Sequence, residues 1–214
     1  MSDDINYQII KNFGPSVFKV NIPQIILDQL NRYVDETIKN KEKIKELNHG
    51  ENLVGDVTQE FRLDVDFMKE SGWLNFLAFC TNKWIEKELK KKITKFEVLS
   101  SWIVRQFKNE YNPTHWHNGH ISGAGFLKLP ASFGNSKQKK NNRNYKGGNL
   151  ELIHGSRMFL SPSTLTIKPK VGDFYFFPNY LMHTVFPFKD TEEERRSISF
   201  NAKIDENIYD VYGN

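Results

Sequence analysis

The stretch Gly172-Asp-Phe-Tyr-Phe-Phe177-Pro-Asn-Tyr-Leu-Met-His183 decides the fold. An aromatic run, a Pro-Asn turn signal and a histidine opening a second run, His183-Thr-Val185, read as strand, turn and strand. The same texture continues outward. Runs at 96–107, 121–129, 149–153, 164–168, 173–177, 183–187 and 196–204 each suit a short strand bounded by turn residues. Strands so closely spaced predict a double-sheet barrel or sandwich. An aromatic content of 14% agrees, because aromatic side chains suit a pleated, half-buried surface.

Upstream the pattern changes. Residues 16–22 alternate like a short strand, and Pro23 then introduces a helix with Ile26, Leu30, Tyr33, Val34, Thr37 and Ile38 on one face. Lys39 to Lys45 reads as its solvated end. A second helix is expected from an N-cap at Ser71 to about Lys92, burying Trp73, Leu77, Cys80 and Trp84, with Leu89 a further candidate for that face. Helices first and strands second imply one domain over 1–214, mainly β with N-terminal helices. Two helices over about 1–94 should buttress a β core over about 95–204. Residues 131–148, with Lys137, Lys139, Lys140, Arg143 and Lys146, read as an exposed loop. Its length leaves two uses open, a lid or a solvated excursion.

The chemistry lies in Tyr111-Asn-Pro-Thr-His115-Trp-His117-Asn-Gly-His120. Residues two apart on a strand share a face, so His115 and His117 can converge on one ion. His183 supplies a third imidazole from another strand, though imidazole alone does not choose among iron, zinc, copper and nickel. His120 is open between a fourth ligand, a substrate-facing acid or base, and a group outside the ligand set. His154 and His49 read as structural or ordinary. Arg195 lies twelve positions beyond His183, room for a strand, a turn and the start of a returning strand. A buried guanidinium needs an anion, and its planar fork suits a carboxylate. Ser197, on the same strand face, can add a hydroxyl donor.

Several residues carry a family resemblance: Asn112-Pro113 before His115-x-His117, Ser122-Gly123, Gly172-Asp173 before Phe177-Pro178, His183-x-Val185, and Arg195-x-Ser197 with Phe200-Asn201. Over roughly 100–204 this order resembles the Fe(II) and 2-oxoglutarate dependent oxygenase superfamily, and within it oxygenases of phages and marine bacteria. Tyr111 resembles the strand leading into the metal motif of prolyl hydroxylases. The resemblance implies a double-stranded β-helix (jelly-roll) core. It also implies iron(II), 2-oxoglutarate and O2 as cofactors, and hydroxylation coupled to oxidative decarboxylation. It places metal ligands at His115 and His183, and the distal carboxylate of 2-oxoglutarate at Arg195 and Ser197. His117 departs from the family, which usually has Asp or Glu there, and makes the triad three histidines.

Other classes stay open at this level. A cupin-like metalloenzyme would use the same histidines without 2-oxoglutarate and leave Arg195-x-Ser197 without a purpose. A halogenase-like site would treat Asn118-Gly119 as a ligand vacancy. A non-enzymatic jelly-roll could present the 131–148 and Lys87–Lys92 cations to a partner, but no recognised nucleic-acid motif accompanies them. The single cysteine, Cys80, excludes an intrachain disulfide and a Cys-rich zinc site. The acidic Met1-to-Ile5 start lacks signal-peptide features and no apolar run spans a bilayer, so a cytoplasmic location is expected, that of the host if the chain is viral. The substrate, peptide or small molecule, and the oligomeric state are not legible.

Overall fold

The computed structural model describes residues 5–10, 14–50, 53–137 and 144–210. The acidic Met1–Asp4 start and Lys139, Lys140 and Arg143 lie outside them. Among the described residues, eleven strands form two antiparallel sheets. The large sheet runs β1 (Tyr7–Ile10), β2 (Val17–Asn21), β9 (Asp173–Pro178), β6 (Ile121–Lys128), β11 (Arg195–Ile204), β4 (Phe96–Gln106), β3 (Gln59–Arg62). The small one runs β5 (Asn112–His115), β10 (Met182–Val185), β7 (Leu150–Ile153), β8 (Thr164–Ile167). From β4 onward the chain alternates between the sheets, with β7 and β8 as the one consecutive pair in the same sheet.

Strand periodicity sorts the side chains. Phe18, Phe61, Ile103, Phe174, Phe176, Ile198 and Phe200 pack toward the helices, while Val17, Phe126, Tyr175 and Phe177 meet Leu150, Leu152 and Val185 of the small sheet. Gly123 and Gly125 of β6 let Phe174 and Phe200 lie flush on the sheet. A Cβ at Gly125 would stand 2.3 Å from Phe174 Cδ2, and one at Gly123 2.6 Å from Phe200 Cε1.

Helix α1 (Gln24–Thr37) buries Ile26, Leu30, Tyr33, Val34 and Thr37 as the spacing predicts. Lys39–Lys45 is not a helix end. Asn40 caps a separate short helix, α2 (Lys41–Leu47), its Oδ1 accepting from Glu42 N and Lys43 N. The cap of the long helix α4 (Trp73–Leu89) is Gly72, at φ +75°, and not Ser71. Lys90, at φ +58°, ends α4 before Lys92. Ser71 instead closes α3 (Val65–Glu70), which the sequence reading missed, as it missed β1, β3 and a terminal turn of helix, α5 (Glu206–Tyr209). The described helices therefore number five, not two. Three strands of the large sheet come from the segment before residue 95. No helix among the described residues is long and apolar enough to cross a membrane.

Candidate metal centre and its cavity

His115 ends β5 and pairs in register with His183 of β10. His117 lies two residues past the end of β5. Its backbone N–H donates to Asn179 O at 3.0 Å, and Asn179 Nδ2 donates to His117 O at 3.1 Å. Two turns thus interlock and hold the ligand loop. The three rings offer nitrogens all within 4.8 Å of one another, and the Nε2 atoms of His117 and His183 stand 3.1 Å apart.

Two tautomers follow from the partners. His115 Nδ1 faces Pro113 O at 2.7 Å and His183 Nδ1 faces Leu181 O at 2.9 Å. A carbonyl only accepts, so each Nδ1 carries the proton and each Nε2 keeps its lone pair for the shared space. Burial lowers all three pKa values. His117 is pushed down to about 3 by burial and the nearby His115, and His183 falls well below the ordinary value through burial and both neighbours. Neutral imidazole is the ligand form, so the cluster is set to hold a divalent ion.

Arg195 opens β11 in the same cavity, which Trp102, Val104, Asn112, Leu150, Ser197 and Ser199 also line. It is 2% exposed, donates from Nε to Gly148 O at 3.0 Å and from Nη1 to Ser197 Oγ at 3.2 Å, and lies over Phe126. Among the described residues it pairs with no carboxylate, and burial lowers its pKa to about 9. Its neighbour Arg196 points to the opposite face, toward Asp35, Asn31 and Glu194. A desolvated cation, without an anionic partner among the described residues, thus shares its cavity with three histidines that could hold a metal ion.

His120 belongs elsewhere. Its Nδ1 accepts from Ile204 N at 3.1 Å, its ring stacks on Tyr209, and Nε2 lies 3.4 Å from Glu206. It is outside the histidine cluster, so the fourth-ligand alternative does not stand, and it lines a different hollow with Ile204, Glu206 and Tyr209. His154 rests against Gly14. His49, ordinary in sequence, is buried, accepts from Arg62 Nε and packs edge-on against Trp102, which packs likewise on His117. The sequence reading also missed Asn112 and Glu60 as cavity residues. Glu60 sits in a polar stretch with no ligand spacing to mark it. The described flanks of the 131–148 loop are tied down: Tyr145 Oη donates to Phe133 O, Phe133 packs on Phe188, Gly148 N donates to Phe186 O, and Gly148 O accepts from Arg195 Nε.

The comparisons agree with this geometry. Residues 100–201 match a family described as "Putative 2OG-Fe(II) oxygenase". The match spans 102 residues, a little under half of the 214-residue chain. A prolyl-4-hydroxylase from Pseudomonas putida is similar in structure, with a TM-score of 0.53 at 14% identity, over 92% of this chain and 93% of that one. A prolyl hydroxylase from Trichoplax adhaerens, solved with a hypoxia-inducible-factor peptide fragment, gives 0.53 at 14% over 97% and 87%. AviO1 from Streptomyces viridochromogenes gives 0.54 at 14% over 88% and 90%. At such identity the likeness is one of fold. No curated protein sequence matches the chain.

Proposed function

We propose that the protein is an Fe(II) and 2-oxoglutarate dependent hydroxylase, with iron held by His115, His117 and His183 and the distal carboxylate of 2-oxoglutarate held by Arg195 and Ser197. The alternation of β4 to β11 between two sheets supports reading the core as a double-stranded β-helix. The observation that carries the function is Arg195, a buried guanidinium with no anionic partner among the described residues, facing the cavity that the three histidines share. A cupin-like enzyme without 2-oxoglutarate would have no use for that cation.

When bound, iron(II) supplies the redox chemistry by which dioxygen and 2-oxoglutarate become succinate, carbon dioxide and one hydroxyl on the substrate. The chain's own part is placement. Nδ1 bonds to Pro113 O and Leu181 O aim two imidazoles, and the Asn179 turn aims the third. Arg195 offers a carboxylate charge-assisted hydrogen bonds, and Phe126, Leu150 and Val185 keep water from them. A peptidyl substrate in the cytoplasm is the finer reading. It is supported by the Tyr111 resemblance and by relatives whose names give prolyl hydroxylation.

The test is 2-oxoglutarate binding to the manganese(II)-loaded chain, with Arg195→Met as the variant. Withdrawing one partner of a buried charge pair costs about 3–5 kcal/mol, so affinity should fall a hundred-fold or more. In the parent, 2-oxoglutarate at a hundred times its Kd should add about 2.7 kcal/mol of stability, and in the variant almost none. Equal affinity in both would remove Arg195 as the anchor.

A further inference from the structure

The cavity has a second polar end that the oxygenase chemistry leaves unused. Glu60 of β3 lies opposite Val104 of β4, which lies opposite Ser197 of β11. Two strand spacings put Glu60 roughly 10 Å from Ser197 along the sheet. A carboxylate hydrogen-bonded to Ser197 therefore does not reach it. Glu60 is 4% exposed, and its Oε2 has no partner among the described residues. Asn112 Oδ1 is likewise buried without one. Both residues turn oxygens toward the space over Gly55. A Cβ there would stand 2.1 Å from Asn112 Oδ1 and 3.1 Å from Glu60 Oε1. Leu53 and Val54 wall this end with apolar surface. The unmet Asn112 Oδ1 thus lies beside Glu60 Oε1, while Glu60 Oε2, on the Gly50 side, is unmet as well. Such a buried carboxylate and amide oxygen call for a donor, since an unmet buried acceptor carries its full desolvation cost.

We propose that Glu60, with Asn112 as second acceptor, reads the substrate, which brings a cationic nitrogen group, an alkylammonium or guanidinium, to the Gly55 side of the cavity. This names a substrate class for the oxygenase reading and rests on it. Charge separates the two ends: Arg195 repels such a group and attracts an anion, whereas Glu60 does the reverse. Burial and the nearby Glu110 charge push Glu60 up to about 7, and an incoming cation restores its charged form. Gly55 is needed because a Cβ there would stand 2.1 Å from Asn112 Oδ1 and push that acceptor out of its place beside Glu60. On a peptide, the group is a lysine or arginine side chain or a free N-terminus.

The probe is ethylguanidinium, with N-ethylurea as its neutral isostere, titrated at pH 8 into the full chain loaded with manganese(II) and 2-oxoglutarate. Ethylguanidinium is expected to bind at least tenfold tighter than N-ethylurea. It should lose at least tenfold in Glu60→Gln, and keep its affinity in Glu97→Gln, whose carboxylate is exposed on β4. Should Glu60→Gln not fold, Gly55→Ala must lose the probe with Glu60 intact. No preference for the cation in the parent, or a preference unchanged in Glu60→Gln or in Gly55→Ala, overturns the proposal. Binding of 2-oxoglutarate is measured first and alone. Its absence would sink the oxygenase reading, while the probe titration without cosubstrate still decides Glu60.

Discussion

Glu60 also makes a prediction about stability, because its carboxyl is held at about 7 by burial and the charge of Glu110. Its value when unfolded is 4.5. The folded state therefore binds this proton more tightly than the unfolded chain does. Stability from this residue is full below pH 4.5 and is lost as pH rises through 7, by about 3 kcal/mol in all. Glu60→Gln should be more stable than the parent by about that much at pH 8 and by almost nothing at pH 4.5. Urea denaturation at the two pH values checks this, and an equal difference at both would contradict it. At this scale the sequence told much: His115, His117, His183, Arg195 and Ser197 were all visible as candidates. Glu60 and Asn112 were not, because what marks them is an absent partner, and partners come from distant strands.

At the scale of elements, the His117 loop depends on the turn after β9. Asn179 contributes a side-chain bond to His117 O and accepts from Tyr209 Oη at 2.9 Å. Asn179→Ala should weaken metal binding by about 10–100-fold, the usual effect of removing a group that orients a ligand. Competition with a chelator measures it; affinity unchanged within twofold would mean the backbone bonds alone hold the loop. Helix α4 offers a second test. Trp73 is wholly buried between Phe76 and Phe174, and its Nε1 donates to Ser101 Oγ at 3.1 Å. Trp73→Phe should cost about 1–2 kcal/mol for the lost hydrogen bond and shape, and Trp73→Ala about 3–5 kcal/mol. Equal midpoints in chemical denaturation would show that α4 does not pin the sheet.

Across the whole molecule, one charged cluster ties the helices to the large sheet. Arg196 of β11 reaches Asp35 and Asn31 of α1, and Glu194 joins Arg196, Arg105 of β4 and Lys128 of β6. Burial would raise the Glu194 carboxyl, but the Arg105 hydrogen bond and the charges of Arg196, Arg105 and Lys128 outweigh it and hold the pKa below 4.5. The stability this confers is present above pH 4.5 and lost as pH falls through the folded value. Glu194→Gln should cost about 3–5 kcal/mol at pH 7, because it leaves Arg105 without its carboxylate and Arg196 with that of Asp35 alone. The deficit should shrink toward pH 3. A deficit of the same size at both would assign the loss to packing instead of charge.

Sequence by itself determined the mainly β character, the face of α1, eight strand positions and the short list of site residues. Each of these rests on local periodicity or on residue type, and both are written along the chain. Only the tertiary structure decided which of two adjacent arginines faces the cavity. Strand alternation guarantees that Arg195 and Arg196 part company, but which goes inward depends on the register of β11 between β4 and β6. The same holds for His120 and His117, three residues apart, one sent to the α5 side and the other to the shared cavity by a turn locked onto Asn179. Edge strand β3 escaped sequence reading for a related reason. Four residues carry too little period to be seen, and what makes Gln59–Arg62 a strand is its pairing with β4, more than forty positions away.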